Sequence, residues 1–353
     1  MFFTTGIYKT GNILILLKPD LYLYAVNKIS SERIFSIANS QDFDKAALEV
    51  FNFQAINCPI YSDFVKNLGI HLAKVKFVSQ IPYLPIEFFK THTILSNQEK
   101  IEITFSSSGT SGSVQSKHHV TDSSLYRDSY LKAFNIFYGD NSDYAILALL
   151  PSYQKRNGSS LIYMVDDLIQ QSQNEKSGYF LYDHHELEEA LLELKSTKTR
   201  TLLIGVTYAL LDFAESHSLE FPELIVMETG GMKGKRKEMI REELHKVLCD
   251  GFGVPSIHSE YGMTELLSQG YSKGAGIFHC PPWMRISVRD TNDPLQLLQT
   301  GQAGGINVLD LANINSCSFI ATQDLGKILP DGTFEILGRF DNSDIRGCNL
   351  LVQ

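Results

Sequence analysis

Between residues 143 and 248 the sequence alternates short apolar runs with helical patterns, and that alternation constrains its fold more than any other feature. Asp143 to Leu150 is a compact apolar stretch closed by Pro151, of the kind that fills a strand buried on both faces. Gly158-Ser159-Ser160 then opens a helix through Ile169. In His185 to Leu194, the residues Leu187, Ala190, Leu191 and Leu194 fall at i, i+3, i+4 and i+7, one face of a helix. The first turn of that helix carries Glu186, Glu188 and Glu189, which suits the positive end of the helix dipole. Thr201 to Val206 is rich in strand formers, Tyr208 to Ala214 is helical, Glu223 to Met227 is a strand, and Ile240, Leu244, Val247 and Leu248 mark the next helix. Such units in series predict an α/β fold with a mainly parallel sheet. From Met284 onward, short strands and glycine turns dominate (Gly301, Gly304, Gly305, Asp331-Gly332), so a smaller β-rich portion is expected there.

Upstream, Phe43 to Phe51 has a helical pattern, and Cys58-Pro59 is expected to end that region. Val75 to Phe89, with Pro82 and Pro85, reads as an extended connector. A strand is expected at Ile101 to Phe105, a helix at Ser123 to Phe137 capped by Asp122 or Ser123, and a short strand at Pro255 to His258. A formal net charge of −9 argues against nonspecific nucleic-acid binding, which neutralises phosphates with Lys and Arg. Five cysteines, an odd and widely spaced set without a CxxC pair, argue against a disulfide framework or a structural zinc site and for a cytoplasmic, reduced protein. The early apolar run Ile13 to Leu17 is too short for a membrane span. Residues 1–30 read as an extension without an assigned role, and 31–353 as one domain.

Chemistry enters at Phe105-Ser106-Ser107-Ser108-Gly109-Thr110-Ser111-Gly112-Ser113. A loop of this composition offers backbone N–H groups and hydroxyls with no bulky side chains in the way, which is what polyanionic phosphate needs. It is either a phosphate cradle or a flexible surface turn. It is not a Walker loop, because no Gly-Lys-Ser/Thr ending follows. Further on stand Glu228-Thr229-Gly230-Gly231-Met232, Ser259-Glu260-Tyr261-Gly262-Met263-Thr264-Glu265, Thr322-Gln323-Asp324-Leu325-Gly326 and Gly338-Arg339-Phe340-Asp341.

In this order and spacing the segments resemble the adenylate-forming enzyme superfamily, which includes acyl-CoA synthetases and phenylacetate–CoA ligases. The nearest resemblance is to the LuxE-like acyl-protein synthetases, from about Ser31 to the C-terminus. It implies the large N-terminal domain of an adenylate-forming enzyme with a β-rich subdomain. It implies ATP and Mg²⁺ as cofactors and a carboxylic acid, of the fatty-acid type, as substrate. The implied phosphate loop is Ser107, Ser108, Gly109, Thr110, Ser111 and Gly112, with Ser111 where a second Thr is common and Lys117 as the nearby cation. Gly230 and Gly231 would line the adenine pocket, Tyr261 would stack on adenine, and Thr264 would touch a phosphate. Glu265 would serve Mg²⁺, which prefers hard carboxylate oxygen. Asp324 would bind both ribose hydroxyls, two acceptors for two adjacent donors. Gln323 stands where Gly is frequent. Arg339 would lie near ribose and phosphate, and Asp341 at the hinge before a mobile lid.

Relatives that make CoA esters carry a lid domain after that hinge, with a lysine that aids adenylation. This sequence ends 12 residues after Asp341, so the lid is expected to be essentially absent. The LuxE-like branch has the same short ending and passes the acyl group to a cysteine of the enzyme, for onward transfer to a reductase or another acceptor. Cys348 stands at the matching place, beside Arg346, whose charge favours thiolate. It is either that nucleophile or a small buried residue ahead of Leu350-Leu351-Val352. Delivery to CoA or a carrier protein, and a non-catalytic acyl-nucleotide-binding role, are the competing readings. Lys233, Lys235, Arg236 and Lys237 before a helix are either a solvated run or a hint of an anion nearby. His258, His279 and Cys280 are weak as a metal set. Trp283 reads as core or acyl-pocket wall, and His184-His185 as exposed.

Overall fold

The computed structural model describes residues 28–107, 114–150, 158–181, 183–230 and 239–339. It begins with α1 (Ser31–Phe35), α2 (Ser40–Asn57) and α3 (Pro59–Asn67). The side chain of Asn39 caps α2, which buries Phe43, Ala46, Val50 and Phe51. This helix outruns the expected Phe43 to Phe51 because its last turns have a tertiary anchor. Gln54 is wholly buried there and donates from Nε2 to the carbonyls of Asn313 and Ile314, each at 3.0 Å. Cys58-Pro59 ends α2 as expected, with Cys58 as its extended C-cap, but a new helix follows at once. Pro59 opens α3 at a first-turn position, where a missing N–H costs nothing. After a 3₁₀ turn at Leu72–Lys74, the expected connector is more ordered than an extended chain, with a 3₁₀ turn at Val78–Gln80, then β1 (Leu84–Pro85) and the start of α4 (Phe88–Thr91).

β2 (Ile103–Ser106) and β3 (Lys117–Val120) form a separate antiparallel pair. β2 starts two residues later than Ile101 and runs one past Phe105. Next come α5 (Ser123–Tyr138), capped by Asp122, then β4 (Tyr144–Leu149), α6 (Ser160–Ser172), capped by Ser159, and β5 (Gly178–Tyr179). They are followed by α7 (His184–Ser196), β6 (Arg200–Gly205), α8 (Thr207–Ser216), β7 (Ile225–Glu228), α9 (Arg241–Phe252) and β8 (His258–Tyr261). Every residue of β4 is buried, and α7 buries Leu187, Ala190, Leu191 and Leu194, as its periodicity predicts. In α9 Leu244 and Leu248 are buried, but Ile240 precedes the helix and is 68% exposed. The strand expected at Pro255 to His258 is displaced, beginning only at His258. Of the two histidines at the start of α7, His185 is exposed, whereas His184 packs edge-on against Phe213 at 5.5 Å.

The remainder is β9 (Gly270–Ser272), β10 (Ile277–His279), β11 (Met284–Arg289), β12 (Ala303–Asp310), β13 (Phe319–Ile328) and β14 (Phe334–Arg339). One 12-stranded sheet runs in the order β11-β12-β13-β14-β10-β9-β8-β7-β6-β4-β5, with β1 beside β13. β5, β4, β6, β7 and β8 are mutually parallel, and from β8 through β11 each neighbour along that order is antiparallel. The carboxyl ends of β4, β6, β7 and β8 therefore share one side of the sheet, where ligands bind in open α/β sheets. Among the described residues no helix is long and apolar enough to cross a membrane.

The ladder is irregular at one place. Gly305 of β12 faces Leu325 of β13, while Asn307 faces Ala321, so two steps along β12 match four along β13. The two extra residues bulge out around Thr322, Gln323 and Asp324.

Candidate active site

The glycine-rich loop leaves the described residues between 108 and 113, which takes in Ser108, Gly109, Thr110, Ser111 and Gly112; Gly231, the basic run Lys233 to Lys237, Asp341 and Cys348 also lie outside them. The neck of the loop is described. Ser107 donates its N–H to the Ser116 carbonyl at 3.1 Å, and Ser116 donates its N–H to Ser107 Oγ at 2.9 Å. Just below, Ser106 N–H donates to the Gly158 carbonyl at 2.7 Å. Gly158 has φ +90°, and a Cβ there would lie 3.0 Å from the Thr104 carbonyl, so the approach of the chain before α6 needs glycine. Lys117 follows the neck as the exposed first residue of β3.

The turn after β8 carries Thr264 and Glu265, and it is held by its backbone. His118 of β3 donates from Nδ1 to the Thr264 carbonyl at 2.9 Å, and Asn313 donates from Nδ2 to the Glu265 carbonyl at 2.8 Å. His118 is fully buried, which pushes its pKa down to about 4 and keeps the imidazole neutral. Downstream, buried Asp310 accepts from the N–H groups of Leu267 and Ser268 at 2.8 and 3.0 Å and from Ser268 Oγ at 2.6 Å. Trp283 joins the same layer as core, its indole N–H reaching Ser129 Oγ at 3.0 Å. The side chain of Glu265 is buried as well. Burial raises its pKa, opposed by the Ser116 hydroxyl and by the charges of Arg339 and Lys90.

Tyr261 ends β8, and its hydroxyl donates to Asp324 Oδ2 at 2.8 Å. Its ring meets Phe278 and Phe334 edge-on, with centroids 6.0 and 5.7 Å away. Arg339 stands opposite Asp324 in the β13–β14 register, with Nε 3.6 Å from Oδ1. Its side chain is 68% exposed, so its fork is open to solvent while the Asp324 carboxylate is largely covered at 15%. Burial raises the Asp324 pKa, and the Tyr261 hydroxyl and the two arginines, Arg339 and Arg289, oppose the rise. At the end of neighbouring β7, Gly230 has φ +74° and donates its N–H to Glu228 Oε2 at 2.9 Å, while Thr207 Oγ1 donates to the same oxygen at 3.0 Å.

Asp324 thus contacts both Tyr261 and Arg339, Glu265 is close enough to feel Arg339, and Gly230 lies two residues past the end of β7, the parallel neighbour of β8. The polar groups behind them carry no sequence signal of their own: His118, Asn313, Asp310 and Arg289. Glu260 is a further one. It lies opposite Tyr271 in the β8–β9 register, and burial, then the charge of Glu228, pushes its carboxyl up to about 8. Glycine at 262 leaves that carboxyl its room, since a Cβ there would lie 2.3 Å from Glu260 Oε1. His258 points its Nδ1 at the Tyr138 hydroxyl, 3.2 Å away. Among the described residues no group of three or more His, Cys, Asp or Glu is placed to hold a metal ion unaided.

No protein-family model and no curated protein matches the sequence. Solved structures do. ATP-bound MatB from Rhodopseudomonas palustris superposes with a TM-score of 0.52 at 18% identity, over 69% of this chain and 49% of that one. An open 2-hydroxyisobutyryl-CoA ligase, in complex with 2-HIB-AMP and CoA, gives 0.60 at 11% identity over 86% and 70%. The fold is that of the N-terminal domain of the adenylate-forming enzymes. The chain spans about half the length of MatB. The α/β architecture and the β-rich C-terminal portion expected from the sequence are both present in that fold.

Proposed function

We propose that this chain activates a carboxylic acid with ATP. The supporting observation is the contact of Asp324 with Tyr261 and Arg339, beside Glu265, on the side of the sheet where the parallel strands end. Asp324 presents two acceptor oxygens to the ribose hydroxyls, Tyr261 packs beside the base, and Gly230 with Gly231 lets the base approach the main chain. The loop from Ser107 to Gly112, with Lys117 and Thr264, cradles the phosphates. Glu265 suits Mg²⁺ as a hard oxygen donor, and one carboxylate plus phosphates and water is the usual magnesium set. When bound, the ion offsets phosphate charge. An oxygen of the substrate carboxylate attacks the α-phosphorus, the bond from that phosphorus to the bridging oxygen breaks, and pyrophosphate leaves. Arg339, exposed and next to Asp324, meets the charge that develops there.

The second half-reaction in this reading passes the acyl group to Cys348. The thiolate attacks the acyl carbon, a C–S bond forms, the C–O bond to phosphate breaks, and AMP leaves. The acyl group is of the fatty-acid type, and the thioester serves a reductase or another acceptor. Transfer to CoA is the second reading, favoured by the CoA bound in the structurally similar 2-hydroxyisobutyryl-CoA ligase.

Pyrophosphate release on adding ATP, Mg²⁺ and a panel of acids tests the first step; no release with any acid leaves only nucleotide binding. Labelled acid then tests the second. Self-acylation leaves a hydroxylamine-sensitive label that Cys348→Ser abolishes while adenylate still forms. Adenylate without that label, and an acyl-CoA when CoA is added, establishes the second reading.

A further inference from the structure

Three features of the β-rich half line up across the sheet at the bulge. Arg289 of β11 stands directly opposite Gly305 of β12, and Gly305 in turn faces Leu325, the first residue of β13 to rejoin the ladder. Since Gly305 has no side chain, the arginine crosses over it. A Cβ at 305 would sit 2.7 Å from the guanidinium carbon. Beyond Gly305 the fork reaches the carbonyls that the bulge takes out of the ladder. Nη1 donates to the Ile306 carbonyl at 2.6 Å and to Asn307 Oδ1 at 2.8 Å, and Nη2 donates to the Thr322 carbonyl at 2.5 Å. The Thr322 hydroxyl donates to the Ile306 carbonyl at 2.9 Å and accepts the Asp324 N–H at 3.1 Å. Gln323 is tied on the other side, donating from Nε2 to Glu87 Oε1. Arg289 is 7% exposed.

Carbonyls stranded by a bulge need donors when buried. A planar guanidinium supplies several in a fixed geometry, which a lysine ammonium does not. The chain from Arg289 through Thr322 ends at the backbone N–H of Asp324, the residue that meets Tyr261 and Arg339. We propose that Arg289 is a positioning residue for Asp324: it braces the bulge that aims this carboxylate at the ribose. Arg289 touches no reacting atom, and its role rests on the nucleotide reading given above.

The test compares the affinity of the full-length protein for ATP with that for 2′-deoxy-ATP and 3′-deoxy-ATP by calorimetry, in wild type, Asp324→Ala, Arg289→Lys and Gly305→Ala. Gly305→Ala displaces the guanidinium without removing it, and the atom it pushes is the end of a flexible side chain. Wild type is expected to prefer ATP by roughly tenfold, the value of one charged hydrogen bond, and Asp324→Ala to show no preference. Arg289→Lys and Gly305→Ala are expected to cut the preference to about threefold or less while their preference for ATP over GTP stays at the wild-type value. General loosening of the sheet would weaken all nucleotides together and leave the ribose ratio alone. Both variants folded, with the wild-type ribose ratio, overturns the positioning role. If Arg289→Lys does not fold, Gly305→Ala decides by itself. If wild type ignores the ribose hydroxyls, or Asp324→Ala keeps the preference, the nucleotide reading itself is wrong and the proposal falls with it.

Discussion

The two halves of the sheet are built from different materials. In the parallel half, β4 is buried along its whole length, and Leu202, Leu203, Ile204, Val226 and Met227 continue the same apolar layer. In the antiparallel half, Arg289, Asn307, Asp310, Asn313 and Thr322 are buried among the apolar residues. Apolar burial is nondirectional and supplies most of the folding free energy. Buried polar groups are held only by partners with good geometry, so they fix particular atoms in particular places. The parallel half supplies the platform, while the antiparallel half holds the turn of Glu265 and the bulge of Asp324 to that platform.

This contrast separates stability from function, and substitutions on each side can break it. The largest effect is expected from Leu203→Ala, which removes a fully buried side chain from the parallel half. It should cost about 3–5 kcal/mol in urea unfolding while leaving ATP affinity unchanged below the transition. A large loss of affinity in the folded variant would dissolve the distinction. Glu265→Gln keeps shape and removes charge; the rate of pyrophosphate release should fall by about 100- to 1,000-fold. ATP affinity should change by less than about tenfold, since the charge matters most as the phosphates rearrange. Equal losses in rate and affinity would assign Glu265 to binding alone. Asp324→Ala should weaken ATP by about 1.5–3 kcal/mol, one to two decades in Kd, with a far smaller change in unfolding. Wild-type affinity in calorimetry would remove Asp324 from the site.

The smallest effect is a slope. Glu260 has its carboxyl raised to about 8 in the folded protein, against an ordinary carboxylate value unfolded. Between those values the folded state holds a proton that the unfolded state has lost, so stability falls as pH rises. His118 and His258, both pushed down to about 4, act in the opposite direction, but only below their ordinary value of 6.5. From pH 6.5 to 8.5 Glu260 therefore acts without them. Glu260→Gln should flatten the decline in thermal midpoint over that range, and an unchanged decline would show that Glu260 ionises freely in the fold.

The same contrast governs what was legible in the sequence. β4 and α7 could be read directly, because burial of a strand or a helix face is written into consecutive or near-consecutive residues. Tyr261, Glu265 and Asp324 stand in short motifs whose order singles them out, and the structure brings Tyr261 and Asp324 together. The polar scaffold behind them was not legible, since each bond joins residues far apart in the chain. His118 and Thr264 are separated by 146 positions, Asn313 and Glu265 by 48, and Arg289 and Thr322 by 33. No local pattern marks a histidine as the donor to a carbonyl in a distant turn. Helix α2 was underestimated for the same reason, since the partners of Gln54 lie near the other end of the chain, 259 and 260 positions on.

The bulge in β13 makes the length of this segment informative. Two residues fewer between Ala321 and Leu325 would bring β12 and β13 into continuous register, leaving a more regular ladder. That shortened chain would keep its platform and its apolar layer but have no carboxylate aimed past Tyr261. In this chain, therefore, the spacing between the two flanking strand segments carries information that residue identity alone does not provide: an aspartate in an unbroken ladder would be a different residue from Asp324, however well the letters align.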